Sequence, residues 1–137
     1  MMLKVFVDTD IILDLLAKRD PHYQYSAKLF SLADEDEIKV YVSSLSFSNL
    51  NYILSKQFTA VQARKKLLTF KTLVNVLSVS EKSVDLALNS DFNDFEDALQ
   101  YFTALEFKIS TLITRNLKDY KKADISVLTA EQFIKSM

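Results

Sequence analysis

Acidic side chains supply most of the chemistry this chain could perform. Asp8 and Asp10 flank Thr9 directly after the apolar run Leu3-Lys4-Val5-Phe6-Val7, Asp94 and Asp97 stand three apart, and Asn116 and Asp119 follow the apolar stretch ending at Ile113. There is no Cys and the single His is His22, which rules out thiolate catalysis, disulfides and multi-histidine metal sites together. Converging carboxylates without imidazole or thiolate are hard-oxygen ligands, suited to Mg²⁺ or Mn²⁺ rather than Zn²⁺. One or two such ions can deprotonate a water, polarise a phosphodiester and stabilise its leaving oxygen, with no side-chain nucleophile. Asp and Asn also start helices and finish strands for structural reasons, and each pair taken alone is more often a cap than a site.

For these groups to meet, the chain must bring them to one edge of one scaffold. Leu3 to Val7 reads as a buried strand, and Asp8 stands at its C-terminal mouth. A carboxylate left unpaired there is costly, and open α/β sheets place their ligands at that edge. Ile11-Ile12-Leu13 with Leu15-Leu16 predicts a short helix from Asp10 to Leu16, broken before Pro21. A second helix, with Tyr25, Leu29, Leu32 and Ala33 inward, ends near Asp34-Glu35-Asp36-Glu37. That acidic run reads as a solvated helix end, because neighbouring helical residues fan out. Val40-Tyr41-Val42 is a brief second strand, and Ser43-Ser44 cap an amphipathic helix that sets Ser46 and Asn49 on one face.

A helix from Thr59 to Phe70 carries Arg64-Lys65-Lys66, read as solvated surface. A third strand, Val74 to Val79, passes into a helix from Ser80 to Leu88. The next helix turns Phe95, Ala98, Leu99, Phe102 and Leu105 inward and holds Asp94 and Asp97 on one face near its N-terminus, where the dipole favours negative charge. Ile109 to Ile113 is a fourth strand, Ile125 to Leu128 a short last one, and Thr129 to Met137 a terminal helix. Strands alternating with helices argue a parallel sheet flanked by helices. In such a sheet the first and fourth strands end on one edge, and a helix entering there brings Asp94 and Asp97 to the same point.

Composition narrows the alternatives. At 137 residues, 49% hydrophobic and 26% charged, the sequence is that of one ordinary globular domain, residues 1–137. No apolar run approaches the roughly 20 residues a membrane helix needs. The N-terminus lacks the pattern of an export signal, so a cytoplasmic location without membrane attachment is expected. Gly is absent, which excludes phosphate-cradling Gly loops and dinucleotide fingerprints and leaves turns to Asn, Asp and Ser. A net charge of −1 argues against a strong whole-molecule field for nucleic acid but leaves a local basic patch open.

Four stretches in order resemble the PIN-domain family across nearly the whole chain: Val5-Phe6-Val7-Asp8-Thr9-Asp10, Ser44-Leu45-Ser46-Phe47-Ser48-Asn49-Leu50, Phe95-Glu96-Asp97-Ala98-Leu99 and Thr114-Arg115-Asn116-Leu117-Lys118-Asp119-Tyr120. The resemblance implies a three-layer α/β/α fold with a central, mostly parallel sheet of four to five strands. It implies a metal-dependent endoribonuclease using Mg²⁺ or Mn²⁺, of the VapC type, the toxin of a toxin–antitoxin pair. Asp8, Asp97 and Asp119 would then be metal ligands, with Asp94 lining the same catalytic pocket. Thr9, Asp10, Ser46, Asn49, Thr114 and Asn116 would be supports, and Arg115 a contact to RNA. Partners would be RNA, a cognate antitoxin covering the site, and a second copy in a homodimer; Tyr23, Phe30, Tyr52 and Phe58 are apolar surface candidates, although residues of these types are more often core.

One departure stands out. Asn49 occupies the position where the family commonly has Glu, and Asn116 is an amide where some relatives have Asp. An amide supplies no charge and cannot act as a base, so weaker metal affinity and weaker activity are expected. The alternative is a catalytically weak or inactive PIN-like module that binds RNA or protein. A phosphatase or receiver-like domain with Asp8 as nucleophile fits less well, since no Lys is an evident partner for the acidic pocket.

Overall fold

Strand β1 (Leu3–Val7) is the axis of the molecule. Val5, Phe6 and Val7 are all completely buried, so layers must cover both faces of the strand. Alternation divides them: Val5 and Val7 join one apolar cluster with Val40, Val42 and Ile113, whereas Phe6 joins Leu112, Tyr101 and Tyr120 on the opposite side.

The computed structural model describes residues 2–120 and 124–137. Among the described residues, β1 is followed by α1 (Thr9–Leu16), α2 (Tyr23–Asp34), β2 (Ile38–Ser43), α3 (Ser44–Gln57), α4 (Ala60–Lys71), β3 (Asn75–Leu77), α5 (Glu81–Leu88), α6 (Phe95–Glu106), β4 (Thr111–Ile113), a 3-10 turn (Leu117–Tyr120), β5 (Ser126–Leu128) and α7 (Ala130–Lys135). The strands form one sheet in the order β3-β2-β1-β4-β5, every pair parallel. Leu29 and Phe30 from α2, Leu50 and Leu54 from α3, Phe70 from α4 and Phe133 from α7 cover one face with α1; α5 and α6 cover the other. This is the expected three-layer α/β/α architecture, with five strands, all parallel.

The chain runs from β1 outward through β2 and β3, then crosses back to β4 on the other side of β1. The crevice at such a reversal, outside the carboxyl ends of the strands, is where open α/β sheets hold ligands. The register Phe6↔Leu112 and Val7↔Ile113 leads straight into it. The next pair is Asp8 and Thr114, and period-two alternation turns both toward α6.

Four expectations are corrected. Ile109 is buried but lies outside β4, because its N–H closes the end of α6 on the Ala104 carbonyl at 2.9 Å. β3 is likewise shorter than expected, Asn75–Leu77. Phe95 and Leu105 of α6 are 47% and 38% exposed rather than inward. The buried stripe toward the sheet is instead Asp97, Gln100, Tyr101 and Ala104, at spacing i, i+3, i+4, i+7, while Ala98 and Leu99 pack toward α5. Finally, left-handed turns use Lys18, Asp36 and Lys108, at φ 50°, 57° and 60°. For the two lysines this costs roughly 1 kcal/mol each, a consequence of the absence of Gly.

Candidate active site

Asp8 follows β1 with extended backbone and caps α1, its Oδ1 accepting from the Thr9 N–H at 2.7 Å. The carboxylate singled out as a candidate site residue is thus also the cap of α1. The same oxygen accepts from Gln100 Nε2 on α6 at 2.6 Å. Oδ2 accepts from the Thr114 hydroxyl at 2.8 Å and the Tyr120 hydroxyl at 3.3 Å. Four donors thus fix a carboxylate that is only 4% exposed. Burial still dominates and holds the Asp8 carboxyl above its ordinary range, although every one of these bonds favours the charged form.

Asp97, on the first turn of α6, faces Asp8 across one hydroxyl. Its Oδ1 accepts from Tyr120 at 3.3 Å, so a single O–H serves two carboxylates. Burial, then the negative charges of Asp8, Asp94 and Asp119, pushes the Asp97 carboxyl up to about 8. Asp10 is pushed up to about 7, by burial first and Asp8 second. Its Oδ2 accepts from the Arg115 backbone N–H at 3.3 Å. Ionising these carboxyls together is therefore unfavourable in the metal-free pocket.

The remaining expected residues divide into those drawn in and those left at the rim. Thr9 and Ser46 exchange a hydrogen bond at 2.7 Å, and Asn49 Nδ2 donates to Glu96 Oε1 at 2.9 Å. The Thr114 hydroxyl accepts from the Asn116 N–H at 3.1 Å while donating to Asp8, which fixes its direction. Asp94 is exposed and precedes α6 as its N-cap, accepting from the Asp97 N–H at 2.9 Å; it does not share a helical face with Asp97. Asp119, half-buried in the 3-10 turn, acts on Asp97 through charge. Asn116 is exposed. Arg115 points its Nε at fully buried Asp14, 3.0 Å away, and lines a cavity of about 320 Å³ with His22 and Glu131. Of the apolar surface candidates, Phe30 is core at 2% exposure and Tyr52 is 63% exposed.

Sequence reasoning missed Gln100, Tyr120, Glu96 and Asp14. Gln100 had a signal: it lies three residues after Asp97, hence on its face. Glu96 and Tyr120 each adjoin a chosen Asp, with nothing local to show that they turn inward.

Among the described residues no three acidic or imidazole side chains converge closely enough to enclose a metal ion. The donor set nevertheless fits Mg²⁺ or Mn²⁺ in kind. Mg²⁺ keeps several waters and commonly takes one or two carboxylates. Asp8 and Asp97 form such a pair, joined through the Tyr120 hydroxyl, with Asp94 and Asp119 acting on Asp97 through charge.

The sequence model of the PIN domain matches residues 4–118. The chain is 32% identical to Ribonuclease VapC1 of Aquifex aeolicus (strain VF5) over 138 residues, spanning 95% of this chain and 92% of that protein. Its fold is similar to a chain of VapBC2 from Rickettsia felis, solved bound to a DNA fragment from their promoter, with TM-score 0.68, 22% identity and coverage of 92% and 97% of the two chains. A toxin–antitoxin complex from Klebsiella pneumoniae gives the same TM-score of 0.68, again at 22% identity over 92% of this chain and 97% of that one.

Proposed function

The chain belongs to the PIN-domain family, and on that premise we propose that it is a divalent-metal-dependent endoribonuclease, the toxin of a toxin–antitoxin pair. The observation that carries this is the buried Asp8–Asp97 pair at the sheet's reversal point, in a chain 32% identical to a ribonuclease along nearly its whole length. Residues 1–137 act as one domain, and the site would be held by Asp8 and Asp97, with Asp119 completing it directly or through water.

When bound, Mg²⁺ or Mn²⁺ supplies the Lewis acidity that phosphodiester hydrolysis requires. The chain supplies position. Thr9, Gln100 and Thr114 clamp both oxygens of Asp8, so its orientation is set before any ligand arrives. The Thr9–Ser46 bond ties α1 to α3 beside it. Asp10 fixes the backbone at Arg115, and Asp94 starts the helix that carries Asp97. Arg115, about a third exposed, is the candidate for RNA contact at the rim.

The relatives found in VapBC and toxin–antitoxin complexes support a cognate antitoxin as partner, and a homodimer in the cytoplasm is part of the same proposal. No helix among the described residues is long and apolar enough to cross a membrane.

The test is RNA cleavage with and without Mg²⁺ or Mn²⁺, for the wild type and Asp8→Asn. Activity should require the ion and fall at least a hundredfold in the variant. Cleavage that survives excess chelator, or an undiminished Asp8→Asn protein, overturns the proposal. A second reading, a binding module without turnover, draws on the uncharged Asn49 and the lack of a three-carboxylate enclosure among the described residues. It requires RNA or partner binding with no saturable Mn²⁺ binding that Asp8→Ala abolishes.

A further inference from the structure

Resting on that functional reading, we propose that Glu96 provides the negative charge that position 49 lacks, and that Asn49 is its positioning residue. The two stand on different helices, α3 and α6, and meet only through the tertiary fold. Asn49 Nδ2 donates to Glu96 Oε1 at 2.9 Å, and the Thr9 hydroxyl approaches the same oxygen at 3.5 Å. Thr9 is itself held by Ser46 at 2.7 Å. Donors from two elements therefore direct one carboxylate oxygen, and neither of these bonds uses Oε2.

The chemistry of the pair is complementary. A Glu at position 49 would set two carboxylates against each other; an amide there offers an N–H instead and draws Glu96 in. The carboxylate absent from the second motif is thus present in the third, one residue before Asp97, on the turn where the helix dipole favours negative charge. Glu96 is not needed to cap α6, since Asp94 already performs that task at 2.9 Å. Nor is it a solvated surface acid: it is half-buried, with hydrogen bonds that point into the pocket beside Asp8 and Thr9. Site charge is conserved while its position moves from α3 to α6.

Calorimetric Mn²⁺ titration of the wild type, Glu96→Gln, Asp8→Ala and the double variant Asn49→Glu/Glu96→Gln tests this, with thermal melts in chelator to verify folding. Gln at position 96 keeps the acceptor for Asn49 and removes only the charge, so a merely structural role predicts no effect. Glu96→Gln should bind Mn²⁺ at least tenfold more weakly at an unchanged melting temperature, and the double variant, with its charge restored on α3, should regain most of that loss. Glu96→Gln binding within twofold of wild type, while Asp8→Ala abolishes binding, overturns this proposal alone. A wild type without saturable Mn²⁺ binding overturns the metal-dependent reading and this proposal with it. If the double variant does not fold, the single variant decides.

Discussion

Replacing Asp97 by Asn should stabilise the metal-free protein at the pH where the protein would need to act. The Asp97 carboxyl lies at about 8 in the fold against an ordinary 3.8. The folded state therefore keeps a proton that the unfolded chain has released, and stability falls as pH rises from about 4 until it levels above about 8. At about 1.4 kcal/mol per pH unit, the stretch from pH 5 to 8 has a ceiling of roughly 4 kcal/mol. Relaxation and water entry reduce that, and a loss of about 2 kcal/mol is expected. The amide of the Asp97→Asn variant cannot ionise but can still accept from the Tyr120 hydroxyl, so the variant's curve should be flatter. Asp10, near 7, leaves it a residual slope. The substitution also forgoes a dipole contribution of roughly 0.3–1 kcal/mol, which works against the gain and is smaller than it.

Urea unfolding in chelator at pH 5, 6.5 and 8 measures the effect. The wild type should lose stability across the series, and the Asp97→Asn protein should exceed it at pH 8. Mn²⁺ at a hundred times its Kd should then restore about 2.7 kcal/mol to the wild type and nothing to the variant. Parallel pH curves for the two proteins in chelator would refute the idea that crowded negative charge at Asp97 is a stability cost which a cation relieves.

Two further outcomes follow from the same geometry. Tyr120→Phe keeps the ring against Phe92, whose centroid is 5.9 Å away, and removes the hydroxyl shared by Asp8 and Asp97. It should cost about 1 kcal/mol in chelator and raise Mn²⁺ affinity several-fold, because that hydroxyl competes for the carboxylate lone pairs; a drop in affinity by calorimetry contradicts this. Arg115→Ala leaves buried Asp14 without its ion-pair partner and should destabilise by about 3 kcal/mol. Adding Asp14→Asn should recover most of it in urea unfolding, whereas any loss of RNA affinity should persist in the double variant, separating the anchor from the contact.

Much of this protein is legible locally. The apolar run at residues 3–7, the turn to helical spacing after it and the Ser43-Ser44 cap are short-range features, and β1, α1 and α3 formed where they predicted. Asp8 could be singled out because a carboxylate at the mouth of a buried strand needs partners, wherever they come from. What the sequence alone could not decide was which partners. Gln100 lies 92 residues from Asp8 and Tyr120 lies 112, and Glu96 meets Asn49 across 47. The inward face of α6 likewise departed from its aromatic pattern, leaving Phe95 exposed and turning Asp97 and Gln100 to the sheet. Helical periodicity fixes which side chains share a stripe. Which stripe faces inward depends on what the neighbouring layers offer, and here the β1–β4 edge offered a buried carboxylate that only polar partners could satisfy.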